Sequence, residues 1–314
     1  MSQPLLLAIT GPTGIGKTEI CIELARRYEC PILNCDSRQI YKALPIGTAA
    51  PTALQRQQAE HYFVGTHSLE DTYNAGQYER DAVKLLKNLM TGRQQQPFAI
   101  MAGGSMMYMD AVLYGLDDIP EADKNIRLQL QSEYASKGIT TLQEKARELD
   151  PDYYDTMADR QNPQRLIHCI EICLTTGKPY SYFLNKEKTE RPWKTIKIAL
   201  NMPRETLYER INRRVDEMTD DGMEEEAKEA YEKVKHLHPL PNSLCTVGYR
   251  EWIQYFNGEI SREDAVALIK QNTRHFAKRQ LTWLRRQKDV TWIEKTDNKQ
   301  TIEEIDICIK KQSV

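Results

Sequence analysis

The chain has 314 residues, 40% of them hydrophobic and 28% charged, a composition that supports the core of one large or two moderate domains. Its formal net charge of −2 excludes a polycation, so any affinity for nucleic acid must come from a local patch. The apolar run Leu5–Ile9 has no basic residue before it and is too short to span a bilayer, so the expectation is a cytoplasmic protein with no membrane partner.

In chain order, Leu5–Thr10 reads as a buried strand and Lys17–Tyr28 as a helix. Pro31–Asp36 follows as a second strand. Helical periodicity covers Ala75–Thr91, Phe98–Ala102 is a third strand, and Ser105–Tyr114 is a further helix. This alternation predicts an α/β fold, a P-loop NTPase-like parallel sheet covered by helices. From Glu121 to Lys188 the pattern is charged and helical with no strand. Within it Asn162 suits an N-cap, Pro163 a first turn and Gly177 a stop. Thr195–Met202 returns as a buried strand, the sequence is then helical to Lys288, and Val290–Lys295 adds a last strand. The expected organisation is a core of residues 1–118 and 192–314, with a helical C-terminal part, interrupted by a helical insertion at 119–191.

The seven cysteines include no CxxC pair and sit mostly among apolar neighbours, which reads as reduced, packed thiols rather than disulfides or a zinc site. Cys169 and Cys173 are one helical turn apart, with no second ligand pair beside them in the sequence.

Gly11-Pro12-Thr13-Gly14-Ile15-Gly16-Lys17-Thr18 fits GxxxxGK[ST] between a strand and a helix, the context that motif requires. Its amides and the helix N-terminus form an anion cradle, Lys17 adds a full charge, and Thr18 can hold Mg2+. The cradle recognises a diphosphate, not a base, so ATP, GTP or another organic diphosphate all fit. Asp36, at the carboxyl end of the second strand, lies on the same sheet edge as the cradle. It can serve as general base or as metal ligand beside Thr18.

Between Arg274 and Lys288 lie six Lys/Arg residues and no Asp or Glu. Arg274, Lys278 and Arg285 fall roughly on one helix face, which suits phosphate contact, while Phe276, Leu281 and Leu284 read as core.

The stretches GPTGIGKT, DSRQIYKALPIGTA, AGGSMMYMDAVLYGL, NPQRLIHCIEI, VGYREW and TRHFAKRQLTWLRR resemble, in order, those of bacterial tRNA dimethylallyltransferases, and the resemblance runs from Leu5 to about Arg286. It implies that the cradle holds the diphosphate of dimethylallyl diphosphate and that the acceptor is N6 of the adenosine just 3′ of the anticodon in tRNA. It further implies Asp36 as the base, with Thr13, Lys17, Arg214, the loop amides and magnesium serving the leaving diphosphate. By the same resemblance Ser37, Arg38 and Gln39 hold the acceptor base. Ser105, Arg127, Gln164, Arg165, Leu166, Ile167, His168, Gly248, Tyr249, Arg250, Arg274, Lys278, Arg279 and Gln280 match further RNA-facing positions. A flipped base, a clamp-like insertion and a monomer complete the expectation. By itself the insertion reads equally as a lid or a dimer contact.

The chain departs from the family pattern in four places, the first of them two residues long. Gly14 and Ile15 replace Ala-Ser, Ala50 stands for a lysine, Ser105 for a threonine and His168 for an arginine. The rival readings are a small-molecule kinase, a mechanical P-loop ATPase, and an isopentenyltransferase acting on free adenine nucleotides. The first leaves the basic segment and the DSRQIY–IGTA block unexplained. The second normally shows an acidic residue ending an apolar strand, whereas FAIMAGGS ends in glycines.

Overall fold

A computed structural model describes residues 3–92, 95–184 and 189–313. The chain divides into two compact units, Met1–Tyr114 with Glu190–Val314, and Gly115–Thr189.

The first unit is built on a six-stranded sheet of β1 (Leu5–Thr10), β2 (Ile32–Asn34), β3 (His61–Tyr62), β4 (Phe98–Ala102), β5 (Lys194–Asn201) and β6 (Thr291–Glu294). The order is β3-β2-β4-β1-β5-β6 and every pairing is parallel. All six residues of β1 are buried, as a strand covered on both faces requires. Leu5, Leu7 and Ile9 share a core with Ile100, Ile198 and Leu200 from its two neighbours.

Helices α1 (Lys17–Arg27), α2 (Ala53–Gln58), α3 (Ala75–Leu86) and α4 (Met106–Tyr114) connect the first strands. The second unit contributes α5 (Lys124–Lys137), α6 (Ile139–Leu149), α7 (Pro151–Thr156) and α8 (Pro163–Thr176). The first unit then resumes with α9 (Arg204–Asp220), α10 (Met223–Val234), α11 (Tyr249–Phe256), α12 (Arg262–Leu284) and α13 (Asn298–Ser313).

Strands β1 and β4 carry the expected boundaries. β2 is shorter than the expected Pro31–Asp36 and ends at Asn34, although the Cys35 N–H still donates to Ala102 O at 2.7 Å. Asp36 therefore sits on a loop just past the strand, free of the ladder. The expected helix Ala75–Thr91 is α3 followed by a π-helical turn, Lys87–Thr91. Two elements carried no periodic signal. β3 has only two residues, and α2, which Thr52 and Gln55 start with a reciprocal capping box, buries none of its six.

The second unit, taken alone, is helical among its described residues, and residues 185–188 of the expected insertion lie outside them. Asn162 caps α8 by accepting from the Gln164 and Arg165 amides at 3.1 and 3.2 Å, and Gly177 ends it with φ 67. The core gathers Leu130, Leu142, Ala146, Tyr154, Leu166, Ile167 and Ile170. Beside it Asp150, Cys169 and Cys173 bring their ligand atoms within 4.8 Å of one another, a juxtaposition across helices that sequence spacing did not reveal. The Asp150 carboxylate is already employed there. It accepts from Tyr153 N (3.0 Å), Ser181 N (2.6 Å) and Ser181 Oγ (3.0 Å), which makes it the N-cap of α7 and the anchor of the short 3-10 turn Tyr180–Phe183 that follows α8. Among the described residues no helix is long and apolar enough to cross a membrane.

Candidate active site

The sheet order sets the carboxyl ends of β2, β4 and β1 side by side, so the loops that follow them meet at one edge. After β1 the glycine-rich loop turns into α1, capped by Gly16 in the left-handed conformation (φ 88). Lys17 Nζ donates to the carbonyls of Gly11 (2.9 Å) and Pro12 (3.0 Å), which leaves one of its three donors for an anion. Burial pushes the Lys17 ammonium down to about 8, against the pull of the Asp36 carboxylate and with the help of the nearby Arg214.

Asp36 folds its side chain back on its own loop, and Oδ1 accepts from Arg38 N at 2.9 Å. Oδ2 accepts no hydrogen bond among the described residues and faces Gly104, whose absent Cβ would lie 3.8 Å away. The same glycine makes room for Gln280, since a Cβ there would stand 2.5 Å from Nε2. Gln280 is buried, donates from Nε2 to Gly104 O (2.9 Å), and accepts through Oε1 from Thr13 N (2.8 Å). One side chain of α12 thus ties the phosphate loop to the loop after β4. A third link joins the loops after β2 and β4: Ser37 N donates to Ser105 Oγ (2.9 Å), which donates to Ser37 Oγ (3.1 Å).

Two cavities, of about 560 and 620 Å³, share the walls Thr13, Gly14, Asp36, Thr48, Gly104, Arg214, Met218, Phe276 and Gln280. The larger holds Gly16, Lys17 and Thr18 of the loop, with Arg56, Arg210 and Arg213 on its walls. The smaller is lined by Met106, Met107, Tyr108, Met223, Trp283 and other apolar groups, with Arg38, Arg250 and Arg279 among them. Asp36 and Arg214 stand where the two spaces adjoin. The Arg214 guanidinium has no hydrogen bond or ion pair among the described residues. Burial lowers its affinity for the proton while Asp36 restores part of it, so its donors are available to an anion.

The RNA-facing positions implied by the resemblance separate into two groups. Lys278 and Arg279 are exposed on α12, Arg250 is exposed on α11, and Ser37, Arg38 and Ser105 line the smaller cavity. Arg38 also reaches the Asn242 carbonyl at 2.6 Å. Others turn inward. Gln280 is the bridge just described. Gln39 Nε2 donates to Thr48 O and Ala49 O, each at 3.0 Å. Arg274 donates to Asn212 Oδ1 (2.6 Å). Tyr249 is fully buried with its hydroxyl on Glu226, and Gly248 N donates to Glu251 Oε2 (2.7 Å). Phe276, expected in the core, is instead 38% exposed and borders both cavities.

In the helical unit, Gln164 and Arg165 are exposed, while Leu166 and Ile167 are buried in that unit's core and present no side chain to a ligand. Arg127 and His168 both hold the buried Glu171, through Arg127 Nε at 2.6 Å and His168 Nδ1 at 2.8 Å. Burial alone would raise that carboxyl, and these two partners hold it below the ordinary carboxylate range.

Sequence reasoning did not single out Arg210, Met218, Met223 or Glu226. The first two had a signal: Arg210, Arg214 and Met218 recur every four residues on α9 and so share one face. Arg210 Nε donates to Gly14 O at 3.1 Å and so backs the phosphate loop.

A parallel α/β sheet that opens on an anion cradle, with a carboxylate and an unengaged guanidinium on the same rim, defines a group-transfer enzyme of the P-loop fold. The sequence profile described as IPP transferase matches residues 39–287, and the chain belongs to that family. It is 46% identical over 297 residues to tRNA dimethylallyltransferase 2 of Porphyromonas gingivalis, covering 95% of this chain and 96% of the relative. It is 42% identical over 310 residues to tRNA dimethylallyltransferase 1 of Bacteroides fragilis, covering 99% and 100%. The solved full-length tRNA isopentenylpyrophosphate transferase of Bacillus halodurans superposes with a TM-score of 0.71 at 30% identity, over 99% of this chain and 97% of that one. Family membership leaves the kinase and mechanical ATPase readings without support.

The state of Lys17 makes anion binding pH-dependent. A diphosphate ester is fully ionised above pH 7, so its affinity should follow the protonated fraction of Lys17. With that group titrating near 8, affinity is expected to fall about tenfold from pH 7 to pH 9. Calorimetry with dimethylallyl diphosphate would measure this. In Lys17→Met the binding should be weaker and the pH dependence flat; a flat profile in the unaltered protein would contradict the assignment.

Proposed function

We propose that the chain transfers the dimethylallyl group of dimethylallyl diphosphate to N6 of the adenosine 3′ of the anticodon, position 37, in tRNA, giving N6-isopentenyladenosine and diphosphate. The observation that carries this reading is the rim shared by the two cavities, where Asp36 and Arg214 stand between the phosphate loop and an apolar space of about 560 Å³. Membership of the IPP transferase family and full-length similarity to proteins named tRNA dimethylallyltransferase support it.

The chemistry assigns each group a task. The exocyclic amine of adenine is a weak nucleophile, because its lone pair is delocalised into the ring. The allylic carbon tolerates developing positive charge. As the N6–carbon bond forms and the carbon–oxygen bond breaks, the electron pair of that bond leaves with diphosphate. The N6 proton passes to Asp36, whose Oδ2 is the unengaged oxygen. Lys17, Arg214 and the loop amides not committed elsewhere stabilise the leaving charge. The Thr13 amide is committed to Gln280, so Thr13 contributes its side chain, on the wall of both cavities.

The Thr18 hydroxyl and the Asp36 carboxylate are hard oxygen donors on the wall of one cavity, a set that fits Mg2+. Bound there, the ion would neutralise part of the diphosphate charge. The apolar and aromatic lining of the smaller cavity, with Tyr108, Phe276 and Trp283, suits an unstacked base. On α12 and beyond it Lys278, Arg279, Arg285, Arg286 and Lys288 are exposed, and no acid lies among them until Asp289, a distribution suited to a phosphate backbone.

Two outcomes are expected. With undermodified tRNA and labelled dimethylallyl diphosphate, mass analysis of the nucleosides should show N6-isopentenyladenosine. Asp36→Asn should lower turnover by about 10²–10⁴ with diphosphate affinity largely intact. Label that never enters tRNA would refute the function, and unchanged turnover in Asp36→Asn would remove Asp36 from the mechanism. Separately, neutralising Lys278 and Arg279 should reduce the slope of log K for tRNA against log salt by about 1.4–1.8. An unaltered slope would show that this helix faces elsewhere.

A further inference from the structure

The sequence Glu224-Glu225-Glu226 opens α10 and reads as an acidic first turn matched to the helix dipole. The three carboxylates behave differently. Glu225 is exposed, and Glu224 accepts from Arg262 Nε at 2.7 Å near the surface. Glu226 reaches across to the loop 45–50 and accepts from two consecutive backbone amides, Ile46 N at 2.7 Å on Oε2 and Gly47 N at 2.8 Å on Oε1. The hydroxyl of the fully buried Tyr249 donates to Oε1 at 2.5 Å. Gly47 permits this approach, since a Cβ there would stand 2.5 Å from the Tyr249 hydroxyl.

The opposite side of the same loop is held by Gln39, three residues after Asp36, through the carbonyls of Thr48 and Ala49. Ala49 keeps a left-handed backbone (φ 47), a conformation that a residue with a side chain holds where its surroundings over-determine it. Thr48 lies on the wall of both cavities, Gly47, an amide partner of Glu226, on the smaller, and Pro45, Ile46, Ala49 and Ala50 on the larger. None of the hydrogen bonds that fix this loop goes to residues 11–18 among the described residues.

We propose that Glu226 is a positioning residue, which holds the loop 45–50 as a fixed part of the wall that surrounds the acceptor cavity together with Asp36, without taking part in gripping the diphosphate. A carboxylate accepts both amides at once, whereas a carboxamide of the same size accepts one and presents its own N–H groups to the other. Losing the pair frees the loop on the Glu226 side while Gln39 still holds the other. The consequence falls on placement of the acceptor, so it is felt in turnover and in KM for RNA rather than in affinity for the prenyl donor. This inference rests on the transfer reading above for its kinetic arm only.

The test compares Glu226→Gln and Tyr249→Phe with the unaltered full chain. Transfer to an undermodified anticodon stem-loop RNA, calorimetric affinity for dimethylallyl diphosphate, and hydrogen exchange of the peptide covering residues 44–50 are measured. Glu226→Gln is expected to exchange faster in that peptide and to lower kcat/KM for RNA about tenfold or more, with donor affinity within about twofold. Tyr249→Phe, which keeps both amide contacts, should show the same pattern at about two- to threefold, and it carries the test should Glu226→Gln fail to fold. Unchanged exchange would overturn the proposal, as would a loss that appears equally in donor affinity. If the unaltered protein transfers nothing, the function falls, and the exchange measurement alone decides whether Glu226 holds the loop.

Discussion

The side-chain amide of Gln280 holds the candidate site together. It spans from Thr13 N to Gly104 O, within 2.8 and 2.9 Å, in a buried position where both its oxygen and its nitrogen are satisfied. The sheet order alone places the loops after β1, β4 and β2 in a row. Gln280 fixes the distance between the first two, and the Ser37–Ser105 contacts fix the second to the third. An unmade hydrogen bond at a buried amide costs about 1–3 kcal/mol, so the three loops are coupled through groups that cannot separate cheaply. The anion cradle and the Asp36 carboxylate are thereby held on one rim.

That rim sorts charge by task. Lys17 and Arg214 are both less willing to hold a proton than in water because burial penalises their charge, and an incoming diphosphate relieves that penalty. Asp36 sits among these cations with one oxygen occupied by its own turn and one unengaged. A carboxylate in that setting can take a proton on one side while the cations beside it stabilise a departing anion on the other. The apolar, methionine-rich space on the far side of Asp36 adapts to the shape of a large planar group, as thioether side chains do.

Much of this was legible from residues that act through the backbone. GPTGIGKT specifies a turn whose amides converge, and an apolar strand before it and helix after it fix where the turn lies. Asp36 was legible for the same reason, as the end of a strand, even though the strand stops two residues short of it. The inward residues were hidden by their chemistry. Gln280 lies on the buried stripe of α12 with Ala277 and Leu284, yet the cations around it and its match to an RNA-facing position of the family made it read as a surface residue, even though Leu284 read as core. Glu226 was masked by the two glutamates before it. Arg127 and His168 matched RNA-facing positions of the family, His168 in place of an arginine, and the sequence did not show their shared partner Glu171, distant from Arg127, between them. Such pairings are tertiary, and no local period encodes them.

The most direct measurement is a crystal structure with an unreactive thiolo analogue of dimethylallyl diphosphate. It should show the diphosphate on the amides of the loop that closes with Lys17 and Thr18, and the allylic carbon on the rim within about 5 Å of the Asp36 carboxylate, leaving room for an amine between them. An analogue bound with its prenyl end directed away from Asp36, or with its diphosphate outside the loop, would contradict the account.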